Sequence, residues 1–116
     1  MGLDMNAYVA SNPDQEANSR ELAYWRKHPN LHGWMERLAD SKNLEYGSFN
    51  GVELELTWAD IDALEQAVTH GQLPPTGGFF FGNDADELYR EKDLEFIKNA
   101  RAELFLGLKV FYNSSW

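Results

Sequence analysis

Residues 51–71 read Gly51-Val-Glu-Leu-Glu-Leu-Thr-Trp-Ala-Asp-Ile-Asp-Ala-Leu-Glu-Gln-Ala-Val-Thr-His-Gly71, a strand pattern followed at once by a helix pattern. Val52, Leu54 and Leu56 alternate with Glu53 and Glu55, the period-two signature of a strand with one face in a core. Thr57 then stands at an N-cap position with Asp60 three residues on, an Asp version of the capping box. Leu56 and Ile61 take the hydrophobic-staple positions around it. Ile61, Leu64, Ala67 and Val68 make one apolar stripe, and Gly71 lies where a C′ glycine closes a helix. The spacing predicts a helix from Trp58 to about His70. Strand and helix in one short run already point to an α+β domain.

Working upstream, Asn50-Gly51 is the favoured pair for a type I′ turn, which predicts a hairpin whose first strand covers residues 45–49. Gly47 weakens that strand. Asn30 reads as the cap of a short helix in which Leu31, Trp34, Met35 and Leu38 recur at i, i+3, i+4 and i+7. Pro29 separates it from an earlier helix that starts at Pro13 and Asp14 and runs to about Lys27. Ala17, Glu21, Tyr24 and His28 lie on that helix's stripe, with Leu22 and Trp25 beside it. Residues 1–12 show no periodicity and read as a loose arm.

Downstream, Pro74, Pro75, Gly77 and Gly78 mark a connector, followed by the short extended run Phe79-Phe80-Phe81. Phe79 and Phe81 are expected in the core, with Phe80 on the other side. Asn83 or Asp84 caps the longest helix, about residues 85–106, whose buried stripe is Tyr89, Phe96, Ile97, Ala100 and Leu104. Gly107 ends it. Leu108–Asn113 finishes as a strand with Leu108, Val110 and Tyr112 on one face and Phe111 on the other. The expected fold class is α+β, three or four helices packed on a small antiparallel or mixed β-sheet, in a single domain over residues 1–116.

Composition narrows the function classes. At 116 residues, 43% hydrophobic and 14% aromatic, the chain can fill one core and not two. The absence of cysteine excludes disulfides, thiolate metal sites and cysteine nucleophiles. No N-terminal leader and no run of roughly 20 apolar residues is legible, so a cytoplasmic location without membrane contact is expected. The net charge of −9 repels phosphate backbones, so direct nucleic-acid binding is not expected. The same charge fits either a solvated surface or a nucleic-acid mimic that fills another protein's basic groove.

Several blocks, taken in order, carry a resemblance. They are Tyr24-Trp25-Arg26-Lys27 with His32 and Trp34, then Thr57-x-x-Asp60-x-x-x-Leu64. After these come Leu73-Pro74-Pro75-Thr76-Gly77-Gly78-Phe79-Phe80-Phe81-Gly82 and the terminal Val110-Phe111-Tyr112-Asn113-Ser114-Ser115-Trp116. Over residues 24–116 they resemble a family of small uncharacterised proteins of tailed bacteriophages and prophages. Pro29 departs from that pattern, in which the first block runs on as helix. The resemblance implies a phage or prophage context and no particular activity.

Candidate chemistry is sparse. His28 and His32 have the i, i+4 spacing of two metal-binding imidazoles, but Pro29 between them turns one away and no carboxylate completes a set. Partly buried or capping roles account for both, and His70 suits the last turn of its helix. The glycines around Phe79–Phe81 precede Asp84, Asp86 and Glu87, which would repel a phosphate, and no Lys follows as a phosphate loop requires. Those acids read as helix caps, not as a calcium loop. Ser114 and Ser115 have no neighbouring His to activate them. No catalytic residue, cofactor or metal is assigned.

Trp25, Trp34, Trp58 and Trp116 beside Arg20, Arg26 and Lys27 can form either core or a stacking surface. The candidate interaction surface is Trp25, Arg26, His32, Trp34, Phe80 and Trp116. The leading functional expectation is a non-enzymatic interaction or regulatory protein with an unidentified protein partner, or a homodimer. An acidic nucleic-acid mimic is the alternative, and a small enzyme of unknown reaction is the third.

Overall fold

The structure, a computed structural model, is described over residues 3–10, 20–74 and 85–115, with backbone alone for 85–88. The strand–helix segment forms as its residues dictate. Leu54–Leu56 is a strand with both leucines buried. Thr57 caps the helix Trp58–Thr69: the Asp60 N–H donates to Thr57 Oγ1 at 3.3 Å, and the Thr57 N–H donates to Asp60 Oδ2 at 2.8 Å. The stripe Ile61, Leu64, Ala67 and Val68 is buried, and Gly71 closes the helix at φ +64, a backbone that costs glycine nothing. The last helix, Ala85–Phe105, buries Phe96, Ile97 and Ala100, packs Tyr89 and Leu104 at the core edge, and stops before Gly107 at φ +87.

Among the described residues, the chain order is β1 (Asp4–Ala10), β2 (Arg20–Arg26), α1 (Pro29–Ser41), β3 (Leu54–Leu56), α2 (Trp58–Thr69), α3 (Ala85–Phe105) and β4 (Lys109–Ser115). The strands form one antiparallel sheet in the order β2-β1-β4-β3. Register decides the core: Met5 lies opposite Trp25 and Ser114, Ala7 opposite Ala23 and Tyr112, and Val9 opposite Val110. Tyr112 and Val110 in turn face Leu54 and Leu56. Side chains alternate across a strand, so these residues share one face. Met5, Ala7, Trp25, Leu54, Leu56, Val110 and Tyr112 of this face join Leu31 and Met35 of α1, Ile61 and Leu64 of α2, and Phe96 and Ile97 of α3 in one apolar cluster. On the other face Tyr8 stacks on its cross-strand partner Phe111 at 5.5 Å, and its hydroxyl donates to Glu53 at 2.6 Å.

This α+β architecture of helices on an antiparallel sheet is the expected class, but four local expectations are overturned. Residues 4–10 of the supposed loose arm are β1, an inner strand of the sheet. Met5, Ala7 and Val9 alternate with Asn6 and Tyr8, and two neighbouring strands satisfy the backbone of β1 on both sides. Residues 20–26 of the expected first helix are β2. The proposed helical stripe carried the polar Glu21 and His28, whereas pairing with β1 buries Trp25 completely.

Asn30 is not the cap of α1. His28 takes that position without a side-chain cap hydrogen bond, and Pro29 occupies the first turn, where its missing N–H costs nothing. Lys27 makes the corner from β2 at φ +57, its N–H donating to Leu3 O at 2.8 Å. The hairpin at Asn50-Gly51 does not form either. Residues 45–49 are irregular, and Gly51 (φ +72) has positive φ while Asn50 does not, although a type I′ turn needs it at both. The Gly51 N–H instead donates to Ser114 O at 2.6 Å, and β3 pairs with β4. Tyr112 and Val110 give Leu54 and Leu56 a fully buried partner, which the polar run before Phe49 does not. The expectations for Phe79–Phe81, for the Asn83 or Asp84 cap, and for a helix start at Pro13 lie outside the described residues.

Candidate functional site

The four described residues of the expected surface do not come together. Trp25 is fully buried, edge-on to Phe96 at 5.1 Å. His32 is 9% exposed, and Trp34 packs half-buried at the core edge. Of the described four, Arg26 is the one that is exposed, with its Nε 3.9 Å from Asp4. Phe80 and Trp116 lie outside the described residues. The assignment of Trp25 and His32 to an outer surface is therefore corrected: a strand, not a helix, carries Trp25, and its inward register points the indole at α3.

The two histidines are drawn to different partners. His28 Nε2 donates to Asp93 Oδ2 at 2.9 Å, and Trp25 Nε1 donates to the other carboxylate oxygen at 2.8 Å. Asp93 is 1% exposed and His28 is fully buried, with Tyr89 stacked on the imidazole at 4.9 Å. One buried carboxylate thus holds the end of β2 and the start of α1 against α3. His32 lies 6.2 Å from the Tyr112 ring, its Nδ1 2.8 Å from the hydroxyl, with Phe49 at 5.1 Å. Burial lowers the His32 pKa to about 4, so the ring is neutral at physiological pH and accepts the Tyr112 proton. Burial raises the Tyr112 phenol far above its ordinary range, Ser114 pulling the other way. Among the described residues no group of three or more His, Asp or Glu side chains is placed to hold a metal ion.

Asp93 escaped the sequence reading although its position signalled it. It falls on the buried stripe of α3, one turn after Tyr89 and just before Phe96, where an acid needs a donor to be tolerated. Two donors meet it.

The surface has other polar clusters. Lys42, after α1, donates to Asp60 at 2.5 Å and to Glu55 O at 2.8 Å. Burial works to raise the Asp60 carboxyl, but Lys42 and the Thr57 N–H and hydroxyl hold it below its ordinary value. Arg101 bridges α3 to Glu65 at 2.8 Å and Asp62 at 2.7 Å on α2, and its hydrogen bonds hold the Glu65 carboxyl low. Tyr46 donates to Asp40, which with burial raises the phenol to about 12. These contacts fasten elements together.

One open concave feature lies between β2 and α3. A groove of about 340 Å³ runs there, lined by Glu21, Leu22 and Ala23 from the strand and Glu95, Phe96 and Asn99 from the helix. β2 ends the sheet, pairing with β1 alone among the described residues, and a register shift between Ala7 and Tyr8 places Leu22 in a bulge. Leu22 and Ala23 are half-buried along it, and Glu21, Lys92 and Glu95 at its rim are charged and exposed. One wall is the strand edge, which no other described strand pairs and where Arg26 O accepts from the Tyr89 hydroxyl at 2.6 Å. A second exposed feature is apolar: Phe105 is 82%, Leu106 71% and Trp58 45% exposed. The antiparallel packing of α2 on α3, fixed by Arg101, puts Trp58 and Phe105 at the same end.

Comparisons with protein-family models, with curated proteins and with solved structures each found no match to this chain. No described helix is long and apolar enough to cross a membrane.

Proposed function

We propose that the protein works by binding a protein partner rather than by turning over a substrate, and that the partner docks in the groove between β2 and α3. The observation that carries this reading is the groove itself. It joins a strand edge that no other described strand pairs to the half-buried Leu22 and a charged rim, the combination by which proteins recognise segments of other proteins. The resemblance of the chain's blocks to small phage and prophage proteins supports an infected or lysogenic bacterium as the setting.

The test is cross-linked affinity capture from such cells with the wild-type chain and with Asn99→Trp, which fills the groove from an exposed helix position. Proteins retained by the wild type and lost with Asn99→Trp, at equal melting temperature, are the expected result. Identical retention by both chains overturns the reading. A second reading draws on the net charge of −9: the surface imitates a nucleic-acid backbone and occupies a basic groove on a DNA-processing protein. Its mark is capture that falls steeply with added salt and ignores Asn99→Trp.

A further inference from the structure

We infer that the groove takes an extended peptide segment as an added strand on β2, with a basic side chain of that segment lying against Glu21. The inference rests on the docking reading above and specifies the partner's conformation and charge. The strand edge dictates the conformation. β2 spans Arg20–Arg26 and bonds to β1 along one side; on its other side Arg26 O accepts from Tyr89, and the remaining outward N–H and C=O groups pair with a chain about 4.8 Å away. The groove runs along this strand, lined by residues 21–24. Its roof is a single face of α3: Lys92, Glu95, Phe96 and Asn99 recur at i, i+3, i+4 and i+7. An added strand turns alternate side chains towards this roof, where the half-buried Leu22 receives an apolar one, and the others towards the opposite face, where Glu21 lies opposite Tyr8.

Charge selects the segment. Glu21 and Glu95 face the groove against one cation, Lys92. The guanidinium groups at the two ends of β2 are engaged elsewhere: Arg20 donates to Glu103 at 2.5 Å, and Arg26 Nε lies 3.9 Å from Asp4. The rim is therefore acidic on a chain of net charge −9, and a cationic side chain complements it. A second copy of this chain fits poorly. Pairing β2 with itself about Ala23 sets Arg20 opposite Arg26 of the other copy, and like charges directly opposite are destabilising. The occupant is a different protein's extended segment, alternating apolar and basic residues.

The test uses four acetylated and amidated octapeptides of alternating Val and Lys, or Val and Glu, each with and without N-methylation of alternate backbone amides. They are titrated into the full chain labelled with ¹⁵N. The unmethylated Val–Lys peptide is expected to shift the resonances of residues 20–26 and 92–99 saturably and to slow exchange of β2 amides. The Val–Glu peptide should bind roughly tenfold or more weakly, as a reversed charge at an acidic rim requires. N-methylation should abolish binding, because it removes the ladder donors. The double variant Glu21→Lys, Glu95→Lys changes only exposed positions and should invert the preference between Lys and Glu peptides.

Equal binding of methylated and unmethylated peptides at the same resonances overturns strand addition and leaves the docking reading standing. Equal binding of Lys and Glu peptides overturns the charge assignment. Absence of saturable shifts at β2, together with capture indifferent to Asn99→Trp, overturns both.

Discussion

Asp93 shows how one side chain can hold three elements at once. Its carboxylate accepts from Trp25 on β2 and from His28 at the head of α1, with all three residues essentially out of solvent. Asp93→Ala strands two buried donors and opens a void, so it should cost about 3–5 kcal/mol in a denaturant melt. A cost under about 0.5 kcal/mol, typical of a surface position, would refute the arrangement. His32 makes the companion case for pH. Its folded pKa of about 4 lies below its ordinary 6.5, so the unfolded chain binds the proton first as pH falls. The stability contributed by neutral His32 is whole above pH 6.5 and is lost as pH drops towards 4. Relative to His32→Gln, the wild type should lose about 1–2 kcal/mol between pH 7 and pH 5. Urea melts at the two pH values measure this, and a difference that does not change with pH contradicts it.

At the scale of elements, β1 and α2 are opposites in how openly they announce themselves. The capping box of α2 is a local device, formed within four residues, and was readable from Thr57 and Asp60 alone. Thr57→Ala removes one of its bonds and should cost about 1 kcal/mol, lowering the melting temperature by about 4 °C in a domain of this size. An unshifted midpoint would show the cap to be idle. β1 carries an alternating Met5, Ala7, Val9 pattern only a few residues long, between Asn and Tyr. Its stability comes from the strands on either side, and both lie far along the chain. Deleting residues 1–10 should therefore abolish cooperative unfolding in circular dichroism, because it leaves Trp25 and Tyr112 without their partners Met5 and Ala7. A dispensable arm would leave the melt unchanged. β2 was misread for a related reason: Leu22, Ala23, Tyr24 and Trp25 are consecutive, and a run of four apolar residues fits a helix or a strand until a neighbour decides.

For the whole molecule, one sheet face and three helices supply the apolar cluster, and some of the largest exposed apolar residues lie outside it. Phe105 and Leu106 stand at the end of α3 with most of their surface in solvent. Phe105→Ser with Leu106→Ser should change stability by less than about 0.5 kcal/mol, and a denaturant melt showing a larger loss would mean that this end is packed. The candidate site belongs to this scale too. None of its composition is visible as a motif, since Glu21–Ala23 and Glu95–Asn99 lie more than seventy residues apart and meet only because β2 is the sheet's edge and α3 crosses above it. The amino-acid sequence by itself determined what short-range forces control: the α+β class, the α2 cap and stripe, the buried face of α3, its glycine stop, and the alternation of β4. Only the tertiary structure decided which strands pair, that residues 4–10 lie inside the sheet, that Trp25 and His28 converge on Asp93, and where an edge remains open. Those outcomes depend on backbone hydrogen bonds and buried polar contacts between distant segments, whose energies exist only once the segments are brought together.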